Sequence, residues 1–159
     1  MNTTLFDQLP TLYQPLLPTI FAKPIPIETY ADCSNCNMCQ PNNVVPNQTF
    51  FSEKTKCCTF PPIIPNYLIG AMLQDNALPP TLPTSSNQMH PLGYFPSNAT
   101  LTYYASILPD QFGKDESAAC HLLVDGGCSI WPYRNSICST YFCHHVKGFY
   151  GKLFWNNVR

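Results

Sequence analysis

The sequence predicts a small α+β protein, mostly short helices with a C-terminal β-hairpin, loop- and proline-rich and organised around cysteine metal sites. Three observations predict it. Seventeen prolines in 159 residues, about twice the usual share, interrupt the chain too often for long elements. Asp125-Gly126-Gly127 stands between two apolar runs, a hairpin signal because glycine accepts the positive φ angles such turns require. Nine cysteines fall in clusters, and the rest of the chain reads as scaffolding between them.

The length suits a single domain, 1–159, divided into a proline-rich arm (1–30), a cysteine-bearing core (32–146) and a C-terminal helix (148–159). In the arm, Leu5-Phe6, Leu16-Leu17 and Ile20-Phe21 alternate with prolines and give neither a helical nor a strand period. The expectation is an extended stretch over the core, with a helical turn around Leu12. Pro41 to Gln48 reads as a loop, and Phe50-Phe51 as a short strand or the roof of a site. Asn66 to Asp75 is the first clear helix, with Tyr67, Leu68, Ala71 and Met72 at helical spacing and Asn66 or an upstream residue as cap. Gly70 inside it costs about 1 kcal/mol relative to alanine, so close packing against that position is expected.

Asn76 to Asn98 reads as loop, mobile near 77–88 and ordered after it. Leu101 to Leu108 suits a helix or a strand, with helix favoured, and Pro109 ends it. His121–Val124 and Ser129–Trp131 form the arms of the hairpin. A helix after Pro132 is expected to carry Cys138 and Cys143. The last helix starts near Gly148 or Phe149, with Phe149, Tyr150, Leu153, Phe154 and Val158 as its apolar face. It meets no stop signal, the pattern a truncated chain would leave.

Only 11% of residues are charged and the net charge is −1, so the basic footprint of nucleic-acid binders is missing. No membrane partner is expected either, because no run reaches the 18 or more apolar residues of a spanning helix. Met1 to Pro10 lacks a basic n-region and makes a poor secretory signal. These features lead to the expectation of a soluble, cytoplasmic protein. In a reducing compartment, clustered thiols bind metal or react rather than cross-link.

The cysteines agree with that reading. Their number is odd, and Cys57 and Cys58 are adjacent, with α carbons about 3.8 Å apart, shorter than a disulfide normally spans. Thiolate quartets hold structural zinc or iron-sulfur clusters. The candidate ligands are Cys33, Cys36, Cys39, Cys57, Cys58, Cys120, Cys128, Cys138 and Cys143. One candidate group is Cys33, Cys36, Cys57 and Cys58, and the other Cys120, Cys128, Cys138 and Cys143, with mixing into one site open. Cys39 is the odd thiol: a ligand, a core residue or a redox spare. Cys33-x2-Cys36-x2-Cys39 opens like a bacterial ferredoxin, but Asn43 stands where the fourth cysteine belongs. Lys54, Lys56, Arg134, His144, His145 and Lys147 lie beside cysteines in sequence, as the anionic charge of a four-thiolate site favours. His90, His121, His144 and His145 are candidate bases or further ligands. No Gly-x-Gly-x-x-Gly, phosphate-binding loop or Gly-x-Ser-x-Gly stretch accompanies them.

Cys120-x7-Cys128-Ser-Ile-Trp-Pro-Tyr-Arg134-x3-Cys138-x4-Cys143, preceded by Cys33-x2-Cys36 and Cys57-Cys58, resembles the YkgJ-type cysteine-cluster family, described as a zinc- or iron-chelating domain. The resemblance spans about residues 32 to 146. The arginine there is often followed by proline, where this chain has Asn135. It implies a bound metal ion or cluster, an iron-sulfur cluster (4Fe-4S favoured) or zinc. A related branch, the flagellin lysine-N-methylases, has a similar cysteine pattern and implies the alternative of an iron-sulfur enzyme using S-adenosylmethionine.

Overall fold

A computed structural model of the chain describes residues 3–29, 33–36, 38–39, 50–82, 89–107 and 110–159. The expected loop at 41–48 lies outside them. The chain divides into two compact units, one of residues 32–139 and one of residues 1–31 with 140–159. Among the described residues, short helices accompany two small antiparallel sheets. None of these helices is long and apolar enough to cross a membrane.

In the unit of 32–139, proline sets the scale of the elements. Strand β1 is only Ile64–Pro65, and it lies at the edge of a three-stranded sheet ordered β1-β3-β2, where a residue without an N–H is tolerated. Strands β2 (Met89–His90) and β3 (Gly93–Tyr94) pair antiparallel, with Met89 opposite Tyr94, and Tyr94 opposite Ile64 on the other side. Neither was foreseen in the stretch read as loop. Within the stretch 77–88, expected to be mobile, Leu82 is buried in the core and its N–H donates to the Pro79 carbonyl at 3.0 Å. Residues 83–88 lie outside the described set.

Helix α1 (Leu5–Gln8) belongs to the other unit. Helix α2 (Asn66–Gln74) buries Ile69 and Met72, so the inward face is rotated from the expected one and Tyr67 is exposed. No side chain caps it: Asn66 is its first residue, and the Asn66 amide donates to the Pro91 carbonyl at 2.8 Å. Gly70 meets nothing within 4 Å of an added Cβ, so the expected close approach is absent. Ile64, Ile69, Met72, Leu82, Tyr94, Leu122 and Ile130 make one core, with the half-buried Cys120 and Cys128 packed against it.

Helix α3 (Asn98–Ile107) confirms the helical choice and starts earlier than expected. Ser97 explains the start: its hydroxyl accepts the Thr100 N–H at 3.1 Å, the bond of an N-cap. The hairpin forms with Asp125-Gly126 as a two-residue turn, both at positive φ (49° and 75°), which is the type I′ geometry. Its strands are shorter than expected, β4 (Leu123–Val124) and β5 (Gly127–Cys128). Cys128 lies within β5, and Trp131–Tyr133 is a 3₁₀ turn instead of a strand. Helix α4 is one turn, Ser136–Ser139; it carries Cys138, and Cys143 lies beyond it.

In the other unit, helix α1 (Leu5–Gln8) is held by a capping box between Thr4 and Asp7. 3₁₀ turns follow at Thr11–Leu16, around the expected Leu12, and at Thr19–Ala22. Helix α5 (Gly148–Val158) appears where the sequence places it. Its buried residues are Gly151 and Phe154, while Phe149 is exposed, so the inward face again differs from the expected one. Phe154 meets Phe21 edge-on at 5.5 Å, and the Tyr150 hydroxyl donates to the Pro24 carbonyl at 2.6 Å. The Glu28 carboxylate accepts the Val146 N–H at 2.7 Å and bonds His145 Nδ1 at 3.1 Å.

Candidate functional site

The thiols of the unit 32–139 come from four segments. Residues 52–58 wind through consecutive turns: the Lys56 N–H donates to the Ser52 carbonyl at 2.8 Å, and the Cys58 N–H to the Thr55 carbonyl at 2.9 Å. Lys56 adopts a left-handed backbone (φ 52°), uncommon for a residue with a side chain. Two buried threonines fix this coil to residue 113. Thr55 Oγ1 donates to the Gly113 carbonyl at 2.8 Å, and Thr59 Oγ1 accepts the Gly113 N–H at 2.9 Å. Gly113 has a φ of 75°, and a Cβ there would lie 2.3 Å from the Phe51 ring, so no other residue fits without displacing that ring. Phe51 is therefore a buried packing residue and not part of a strand.

The coil carries Cys57 and Cys58 to the hairpin, where the Cys120 N–H donates to the Cys58 carbonyl at 2.7 Å. The hairpin register sets Cys128 opposite Leu123. Asn135, the residue where proline was expected from the resemblance, positions Cys138. Its Oδ1 accepts the Cys138 N–H at 2.9 Å and its Nδ2 donates to the Ile63 carbonyl at 2.8 Å. A proline at this position would supply neither bond.

The electrostatics of the thiols is set first by burial. Burial pushes the Cys120 thiol up to about 11, with the nearby Cys128 and Cys138 thiols adding to the rise. Burial also raises Cys128; Cys33 adds to that, while the Arg134 charge opposes it. Charge on Cys33 thus bears on Cys128, and charge on Cys128 and Cys138 on Cys120, across the two sequence groups. Cys36 and Cys39 bond each other. Burial first, and then the hydrogen bond with Cys36, push Cys39 up to about 12, with Lys56 opposing. Cys39 Sγ also donates to the Ser52 carbonyl at 3.6 Å. An open cavity of about 300 Å³ is lined by Cys33, Cys36, Cys39, Glu53 and Lys56. Raised thiols are protonated at neutral pH, so a metal bound there has to displace protons.

Two of the cations noted in the sequence bear on these thiols. Arg134 stacks 3.5 Å over the Trp131 ring, donates from Nε to the Trp131 carbonyl at 3.1 Å and from Nη1 to the Cys138 carbonyl at 3.4 Å. Lys56 Nζ donates to the Gly126 carbonyl of the hairpin turn. Lys54 does not join them: its charge goes to the exposed Glu116 at 3.0 Å. His145 belongs to the other unit, bonded to Glu28, and Cys143 is in that unit as well.

All nine cysteines are thiols, and by donor chemistry the set suits a soft metal or cluster. The described residues do not, however, include three or more His, Cys, Asp or Glu side chains converging as a metal-holding group. Tyr94, Tyr103 and Tyr104, which sequence reasoning passed over, line a larger cavity beside Cys120 and His121. No spacing rule would have found them, because they come from β3 and α3. Burial holds the Tyr94 and Tyr104 phenols above their ordinary value, and holds the His121 imidazole below its own. No family model, no curated protein and no solved structure matches the chain.

Proposed function

We propose that the chain is a thiolate metal-binding module of the YkgJ kind, holding zinc or an iron-sulfur cluster through cysteines of the unit 32–139. The observation that carries this reading is that segments far apart in sequence meet at cysteines: the Cys120 N–H donates to the Cys58 carbonyl, and Cys120 and Cys128 pack against one core. Buried thiols that merely pack have no need of such company, whereas a four-thiolate site does. Cys33, Cys36, Cys39, Cys57, Cys58 and Cys138 are the further candidate ligands of this unit. Zinc bound there would cross-link the segments, and a cluster would add one-electron redox chemistry.

The test is anaerobic purification followed by visible spectroscopy with iron, sulfide and zinc assays. Stoichiometric metal is expected, brown with sulfide for a cluster and colourless for zinc. Cys128→Ser removes one of the thiols packed against the core and is expected to cost most of the bound metal. Protein that takes up neither zinc nor reconstituted iron and sulfide, with all nine thiols titrating, would refute the proposal.

A further inference from the structure

The cavity lined by the tyrosines measures about 530 Å³, within the 300–1,000 Å³ usual for small-molecule sites. Its walls are flat and apolar: Tyr94, Tyr103, Tyr104, Pro61 and Pro96, with Ala99 at the rim. Among the described residues no Lys, Arg, Asp or Glu lines it, so an ionised ligand would shed water there without gaining a counter-charge from them. The hydroxyls of Thr59, Thr100 and Ser117 and the ring of His121 supply neutral polar edges.

The rings are braced before any ligand arrives. The Tyr103 hydroxyl donates to Asp115 Oδ2 at 2.6 Å. Tyr104 meets Phe60 edge-on at 5.6 Å, and Tyr94 meets His121 at 5.3 Å. Helix α3 contributes Ala99, Thr100, Tyr103 and Tyr104 to this wall and has no buried residue of its own. Its inward face looks onto the cavity, so a ligand would complete packing that the chain leaves open. We infer that this cavity binds one small neutral aromatic molecule, seated flat among the tyrosine rings, where stacked and edge-on contacts favour planar partners. The site is preformed by the chain and does not depend on metal at the thiols.

Indole is the probe, with benzoate and tetramethylammonium as charged counterparts, titrated into the full chain and followed through the tyrosine resonances. Saturable indole binding is expected, at least tenfold tighter than either ion. Ala99→Phe fills the rim and is expected to weaken indole at least tenfold without moving the melting temperature; if it does not fold, Thr100→Phe is judged by the same criterion. Chelated protein is expected to bind indole as the metal-loaded protein does, which separates this site from the metal proposal. No saturable binding, equal binding of an ion, indifference to the filled rim, or loss of indole binding on chelation would each overturn the inference.

Discussion

Replacing Thr55 and Thr59 separately by valine distinguishes an acceptor that has a second partner from a donor that has none. Both side chains are fully buried, at 0% and 1% exposure. The Gly113 carbonyl accepts from Thr55 Oγ1 at 2.8 Å and also from the Ser52 N–H at 2.7 Å. Thr55→Val leaves that carbonyl satisfied and should cost about 0.5–1.5 kcal/mol, the net worth of one hydrogen bond. The Gly113 N–H donates to Thr59 Oγ1, its one acceptor among the described residues, and Gly113 is buried. Thr59→Val strands this donor, at a cost of about 1–3 kcal/mol. The expected gap of about 1 kcal/mol is roughly a fivefold difference in the unfolding equilibrium. Urea unfolding followed by circular dichroism, with metal chelated and m-values compared, measures it. If Thr55→Val proves equally or more destabilising, this account of the coil carrying Cys57 and Cys58 is wrong.

Gly70→Ala should stabilise the protein by about 1 kcal/mol, because the helix gains propensity and the new methyl meets nothing within 4 Å; destabilisation in the same urea assay would show a hidden contact. Asp115 has its carboxyl held below the ordinary 3.8 by hydrogen bonds, first from the Ser117 hydroxyl and then from the Tyr103 hydroxyl. A folded value below the unfolded one means this contribution to stability is present above the unfolded value and is lost as pH falls through the folded value. Tyr103→Phe should therefore move the Asp115 titration upward, read from its carboxyl resonance. An unmoved titration would remove Tyr103 from that bond.

The hairpin and the last helix were legible because their signals are local. Asp125-Gly126 names its own turn by the backbone angles it tolerates, and α5 repeats apolar residues over three turns. Strands β1, β2 and β3 were illegible, because two residues carry no period and their pairing is decided by what lies opposite. Helix α2 was found but its face was misread: the pattern admits Tyr67 as readily as Ile69, and only the core against Tyr94 and Leu122 chooses. Ser97 was a readable cap that moved the start of α3. For the thiols, spacing reports neighbours along the chain: Cys39, read as the odd thiol, bonds Cys36 and lines a cavity with it and Cys33. How the hairpin cysteines stand to these is decided by the fold, which nothing local encodes.

Short elements change how such a site is held. No long helix or strand positions Cys33, Cys58, Cys120, Cys128 or Cys138. What fixes Cys58, Cys120 and Cys138 is a few bonds to the backbone: Thr59 to Gly113, Cys120 to Cys58, Asn135 to Ile63 and Cys138. Each bond is worth about 1 kcal/mol net, which is little against the conformational entropy of proline-punctuated loops. On the metal-binding proposal, a ligand that bonds several of these segments at once ties together what the hydrogen bonds already align, and its binding energy adds to the stability of a unit that folds without it. Asn135 and Thr59 matter to the site because they align its thiols, although neither can bind a soft metal.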